Sequence, residues 1–154
     1  KWSYKAQEEA FLMTNICPQN GDLNQRDWKY LEEACRECGV EVTDYTVAPV
    51  FMDSTHAKGA HQWVVEFAEG SQKKMNDPTM MEKFRASLDS ALCRRNSDYE
   101  AKRSGDVTMT MLELTRVPSG TFYRWMESRG KVGGQNKVPR LSNDRRFVDQ
   151  ILLK

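Results

Sequence analysis

Between residues 130 and 140 the chain reads Gly130-Lys-Val-Gly-Gly-Gln-Asn-Lys-Val-Pro-Arg140. Three glycines, three cations (Lys131, Lys137 and Arg140) and two amides (Gln135 and Asn136) fall in one short stretch. Gly133 and Gly134 allow positive φ and a close approach of backbone to a ligand. Successive N–H groups in such a turn form an anion-binding nest. A lysine on its flexible stem is a mobile point charge suited to phosphate. Pro139 fixes φ just beyond. Composition leaves two readings open, a loop that meets a phosphate transiently and a solvated surface turn. No G-x-x-x-x-G-K-[ST] phosphate loop occurs.

The other candidates are weaker. Cys35 and Cys38 form a C-x-x-C inside a helical pattern, with no second pair to complete a zinc site. They read as reduced thiols, at least one on a buried stripe, which points to a cytoplasmic compartment. His56 and His61 lack companion ligands, so structural or solvated roles are expected and no metal site is assigned. The four tryptophans, and Met109 with Met111, suit core or interface better than base stacking or a cofactor box.

The elements that position the loop follow from periodicity and punctuation. A short strand is expected at 11–17, before the Pro18 to Gly21 break. Asn24 reads as an N-cap, and Trp28, Leu31, Cys35 and Cys38 share one helical face up to Gly39. Strands follow at 40–51 and 60–69; in the second, Trp63, Val65 and Phe67 oppose Gln62 and Glu66. Asp77-Pro78 opens a long helix carrying Met81, Phe84 and Leu88, ending near Cys93 or Asn96. A polar stretch, a strand at 108–117, a short helix capped by Thr121 and a last helix opened by Ser142 complete the order. The expected fold is α+β: a ferredoxin-like βαββαβ sheet, antiparallel, with helices packed on one face, plus two C-terminal helices.

Composition narrows the function. The 154 residues suit one domain, and 39% hydrophobic with 29% charged is ordinary globular protein. Net charge is +1, from 23 basic and 22 acidic residues, so no global field draws nucleic acid or an anionic membrane. No apolar run is long enough to span a bilayer, and the first twenty residues lack a signal pattern. Lys1 in place of a start Met reads as a fragment or a processed chain.

At the glycine-rich loop the sequence takes on a family likeness. Gly134-Gln-Asn-Lys-Val-Pro-Arg140 resembles the Gln-x-Lys-x-Pro-Arg motif of the auxin-responsive acyl acid–amido synthetases, the Gretchen Hagen family. Further blocks resemble its bacterial members: Val40-Glu-Val-Thr-Asp-Tyr45, His61-Gln-Trp-Val-Val-Glu-Phe67, Asn96-Ser-Asp-Tyr-Glu-Ala-Lys-Arg103, Ser119-Gly-Thr-Phe-Tyr-Arg-Trp-Met126 and Pro139-Arg-Leu-Ser-Asn-Asp144. They come in the family's order over most of the chain.

The resemblance implies an adenylate-forming ligase. Such enzymes activate a carboxylic acid with ATP and Mg to an acyl-adenylate, then pass the acyl group to an amino acid with loss of AMP. A large N-terminal domain holds most of the ATP and acyl-acid pockets, and a small C-terminal domain swings over it. Residues 1–154 would be that small lid, inactive alone, with the large domain of the same polypeptide as its partner. Lys137 matches the motif lysine that reaches the α-phosphate. Gly133, Gly134, Gln135 and Arg140 would hold the phosphate or position the loop. Two positions depart from the plant members: Asn136 replaces a frequent aromatic, and Asp22 stands at or near a second phosphate-facing lysine. The rival reading is a stand-alone ferredoxin-like module that senses an anion or pairs with a protein.

Overall fold

The structure, a computed structural model, describes residues 23–106, 108–133 and 136–153; for residues 23–27 and 106 it describes the backbone alone. The expected strand at 11–17 and Asp22 lie outside the described residues.

Helix α1, Leu23–Cys38, starts one residue before Asn24, which therefore lies inside the first turn and not at the cap. Its end is as expected. Gly39 sits at φ 65°, and the Val40 N–H donates to the Cys35 carbonyl, the 6→1 bond of a Schellman cap. Strand β1, Val42–Val50, then runs antiparallel to β2, Ala60–Phe67. A short helix α2, Glu69–Gln72, and a 3₁₀ turn lead to α3, Pro78–Arg95. The Asp77 side chain accepts from the Thr79 N–H and Pro78 takes the first helical position, as the sequence predicts.

Helix α4, Ser97–Arg103, occupies what reads in sequence as a polar stretch. The Asn96 side chain caps it by accepting from the Tyr99 N–H, and Tyr99 is fully buried. Its hydroxyl donates to Asp89 at 2.5 Å, and Arg103 clasps the same carboxylate through Nε and a terminal nitrogen. Strand β3, Glu113–Val117, is shorter than the expected 108–117. Residues 108–110 instead bond with Gly59 and Lys102. Helices α5, Thr121–Ser128, and α6, Arg146–Leu152, are the two expected C-terminal helices; α5 is capped by Gly120 and not Thr121, and α6 opens at Arg145, later than Ser142.

The class is α+β, as expected. The described strands lie in the order β1-β2-β3, with β2 and β3 parallel, so the sheet is mixed where an antiparallel one was expected. Direct pairing of β2 with β3 fills the place where a split plan would insert the first strand. Helices also cover both faces, where the sequence suggested one. Tyr45, Val47, Trp63, Val65 and Phe67 pack against α1 and α3 in the larger core. Ala48, Val64 and Val117 pack against Phe122, Trp125, Val148 and Ile151 in a second core under α5 and α6.

The reason lies in two polar side chains. Gln62 and Glu66 alternate with the apolar face of β2 and so read as its solvent side, yet they are only 8% and 4% exposed. Each has hydrogen-bond partners. Gln62 donates to Thr115 and accepts from Arg145, while Glu66 accepts two backbone N–H groups of the α5 entry. Satisfied polar groups tolerate such burial, and alternation alone does not distinguish them from solvated ones.

Candidate functional site

The glycine-rich segment leaves the end of α5 through Gly130, at φ 66°, with the Lys131 N–H held by the Met126 carbonyl. Gly133 has φ 80°, and a Cβ there would meet nothing within 4 Å, so glycine is required by the backbone angle and not by space. Asn136 closes the turn: its N–H and its side-chain amide donate to the Gly133 carbonyl at 3.3 and 3.2 Å. Gly134 and Gln135 lie outside the described residues. Lys137 follows, exposed.

Beyond Lys137 the chain is sewn to the outer edge of β1. The Thr46 hydroxyl donates to the Pro139 carbonyl at 2.7 Å. The Val47 N–H donates to the Arg140 carbonyl at 2.8 Å, and the Ser142 N–H to the Val47 carbonyl at 3.1 Å. Leu141 thus forms a parallel bridge with Val47. An exposed turn stands on a strap with regular backbone bonding.

The Arg140 side chain lies in the same place. Its guanidinium carbon is 5.4 Å from the Trp28 ring centre and 5.2 Å from that of Tyr45, and its Nε is 3.6 Å from Asp44 Oδ1. Trp28, Tyr45 and Trp63 stack in sequence, with centroids 6.0 and 5.5 Å apart. A planar guanidinium suits this position because it can lie on a ring and meet a carboxylate together. Burial pushes the Asp44 carboxyl above its ordinary value, against the opposing pull of the Tyr45 N–H and of Arg140.

Turn, strap and sheet enclose a cleft of about 510 Å³. Asp44 and Glu66 line it from the sheet, Phe122, Tyr123 and Met126 from α5, and Lys131, Gly133, Lys137 and Arg140 from the segment after it. Tyr123 and Val132 are exposed apolar groups at its mouth. The structure therefore brings together Gly133, Lys137 and Arg140 of the predicted set. It adds Asp44 and Glu66, which sequence reasoning did not single out. Asp44 lies in one of the family-like blocks and Glu66 in another, but only the register of β1 against β2 reveals that they face each other.

The remaining candidates take structural places. Burial raises the Cys35 thiol to about 11 and raises Cys38 as well, leaving both poor nucleophiles. His61 is fully buried against the Tyr99 ring, and His56 meets Asp53 on the surface. Among the described residues, no group of three or more His, Cys, Asp or Glu could hold a metal ion. No helix among them is long and apolar enough to cross a membrane.

Residues 28–146 match the model of the GH3 family C-terminal domain. The chain belongs to the GH3 family as this C-terminal domain. The matched stretch contains the turn, the strap and the aromatic stack that receives Arg140. Two solved structures share the fold of this GH3 domain. One is the AtGH3.15 acyl acid amido synthetase in complex with 2,4-DB, at TM-score 0.65 and 20% identity, covering 89% of this chain and 25% of that one. The other is the GH3.15 acyl acid amido synthetase, at TM-score 0.64 and 18% identity, covering 88% and 25%. Among curated proteins, nuclease 1, mitochondrial, of Schizosaccharomyces pombe is 33% identical over 70 residues, which is 44% of this chain and 21% of that protein. Human endonuclease G, mitochondrial, is 34% identical over 61 residues, 38% and 20% of the two chains. The chain thus spans about a fifth of the curated relatives it matches and about a quarter of the solved ones.

Proposed function

We propose that this GH3 domain is the mobile lid of an ATP-dependent acyl acid–amido synthetase and that Lys137 serves the adenylation step. The carrying observation is the contrast along one short segment. Lys137 stands exposed on a glycine turn at the mouth of the cleft, and the chain is fixed to β1 from residue 139 onward. A charge that must meet a phosphate held by another domain needs both an open approach and a rigid footing.

The chemistry follows. A carboxylate oxygen attacks the α-phosphorus of ATP, the bond to the pyrophosphate oxygen breaks, and negative charge builds on the phosphoryl oxygens. An ammonium group near those oxygens stabilises the transition state more than the ground state. In the second half-reaction the amine of an amino acid attacks the acyl carbon and AMP leaves. ATP with Mg, and the carboxylic acid, would be bound mainly by a large N-terminal domain of the same polypeptide, which is the lid's partner, in the cytoplasm. Of the other phosphate-binding candidates, Gly133 gives the turn its shape. Arg140 is engaged by Asp44, Trp28 and Tyr45, so it supports the turn more readily than it reaches a ligand.

The test is ATP–pyrophosphate exchange by the full-length protein, with and without Lys137→Ala. A loss of roughly 10²–10³, the range for removing one preorganised donor, is expected. The 154-residue chain alone should show no exchange with any acid. Exchange by the isolated chain, or an unaltered rate in the variant, would overturn the reading.

A further inference from the structure

We propose that Asp44 is a positioning residue for Lys137, acting through Arg140. The consequence for chemistry rests on the adenylation role given to Lys137; the mechanical claim does not.

Lys137 is only three positions from Arg140, a reach of about 10 Å when extended. Any slack at Arg140 is therefore passed to the ammonium group. Arg140 is fixed twice. Its carbonyl is bonded by the Val47 N–H, and its guanidinium lies over Tyr45 and Trp28 with Nε toward Asp44. The rings set the plane of the guanidinium, but a ring face lets it slide and turn. Among the described residues, Asp44 supplies a charge at one edge of that plane, with its Oδ1 3.6 Å from Nε.

The surroundings of Asp44 explain why it turns to Arg140. Its side chain is 23% exposed, and Glu66 faces it across the strands in register. Like charges directly opposite repel. Glu66 is occupied by the Gly120 and Phe122 N–H groups, which leaves the Tyr45 N–H and Arg140 as the stabilising neighbours of Asp44. At 3.6 Å the pair is an electrostatic contact and not a bidentate bond, so its share of global stability is small. Its effect is on where the strap sits. Misplacing a catalytic group by about 1 Å costs up to about 10²-fold in rate.

The test has two arms. In the 154-residue chain, hydrogen exchange of the Val47 and Ser142 amides is compared between wild type and Asp44→Asn, with β2 amides as the folding control. Faster exchange at those two amides with β2 unchanged is expected. In the full-length protein, Asp44→Asn should lower adenylation kcat by about tenfold, with KM for ATP changed less than about twofold. Asp44→Glu should recover part of the loss. Arg140→Gln should be at least as damaging, and the double variant no worse than Arg140→Gln alone. Unchanged exchange at Val47 and Ser142 overturns the clamp whatever adenylation does. If exchange rises but the two single effects on kcat add, Asp44 does not act through Arg140 and the proposal fails. If exchange rises and Lys137→Ala is silent, the clamp stands and the adenylation role of Lys137 falls.

Discussion

Asp44 and Glu66 face each other across β1 and β2, Glu66 accepting two backbone N–H groups at the entry of a helix and Asp44 meeting an arginine that crosses from the strap. The pair joins the two halves of the candidate site. Glu66 fixes where α5 begins, and Asp44 meets the segment that α5 leads into.

Glu66 is expected to matter for folding. Its oxygens accept from Gly120 at 2.7 Å and Phe122 at 3.0 Å in a buried setting. Glu66→Ala strands both donors and should destabilise by about 2–3 kcal/mol in urea unfolding. Glu66→Gln keeps one acceptor and should cost less. An alanine variant within about 0.5 kcal/mol of wild type would remove this role.

Asp44 should behave oppositely. A carboxyl whose folded pKa lies above its unfolded value favours folding while protonated, and that contribution is lost as pH rises through the folded pKa. At neutral pH its ionisation therefore opposes folding. Asp44→Asn is expected to match or exceed wild-type stability at pH 7 and to gain nothing below the carboxylate range. Denaturation at both pH values decides it, and a clear loss at pH 7 would contradict the sign.

Lys131 is the control for Lys137. Both lie in the same cleft and carry the same charge, but Lys131 precedes the turn and has no place in the family-like motif. Lys131→Ala should leave adenylation nearly intact, and Lys137→Arg should rescue only in part, because a planar fork does not replace a compact ammonium. Equal damage from the two alanine variants would show that general loop charge is what matters.

His61 sets an acid limit on stability. Burial first, and then Lys102, lower its pKa from 6.5 to about 3. The unfolded chain therefore binds a proton that the folded chain refuses between those values, and stability falls as pH drops through 6.5. The slope is about 1.4 kcal/mol per pH unit from this group. His61→Phe should flatten the profile between pH 6 and 4. An unchanged slope would mean that other groups carry it.

The turn should be locally loose. Amides of Val132, Gly133 and Lys137 should exchange faster than those of β2, which is buried along its whole length. Equal protection would count against a segment that must approach and leave a phosphate.

Much of this architecture is readable from punctuation. Gly39 stops α1, Asp77-Pro78 starts α3, and Gly120 precedes α5, each through a local backbone requirement. Helix α4 was readable in principle, because Asn96 is a good cap. It is short, however, and buries only Tyr99, too little for a periodic signal. The second core was hidden because Gln62 and Glu66 look like solvent-facing residues until their partners, 53 and 54 to 56 residues away, are known. Lys137 announces itself through its neighbours in sequence. The footing beneath it does not, since Thr46 and Pro139 are 93 residues apart.

The strap has one more effect. Among the described strands β1 lies at an edge of the sheet, and the outer side of such a strand is a template on which another chain could add a strand. Residues 139–142 cover that side at Thr46 and Val47. The segment that follows Lys137 thus also occupies edge groups of β1 that another strand would need. Variants that loosen it should first become visible as concentration-dependent aggregation.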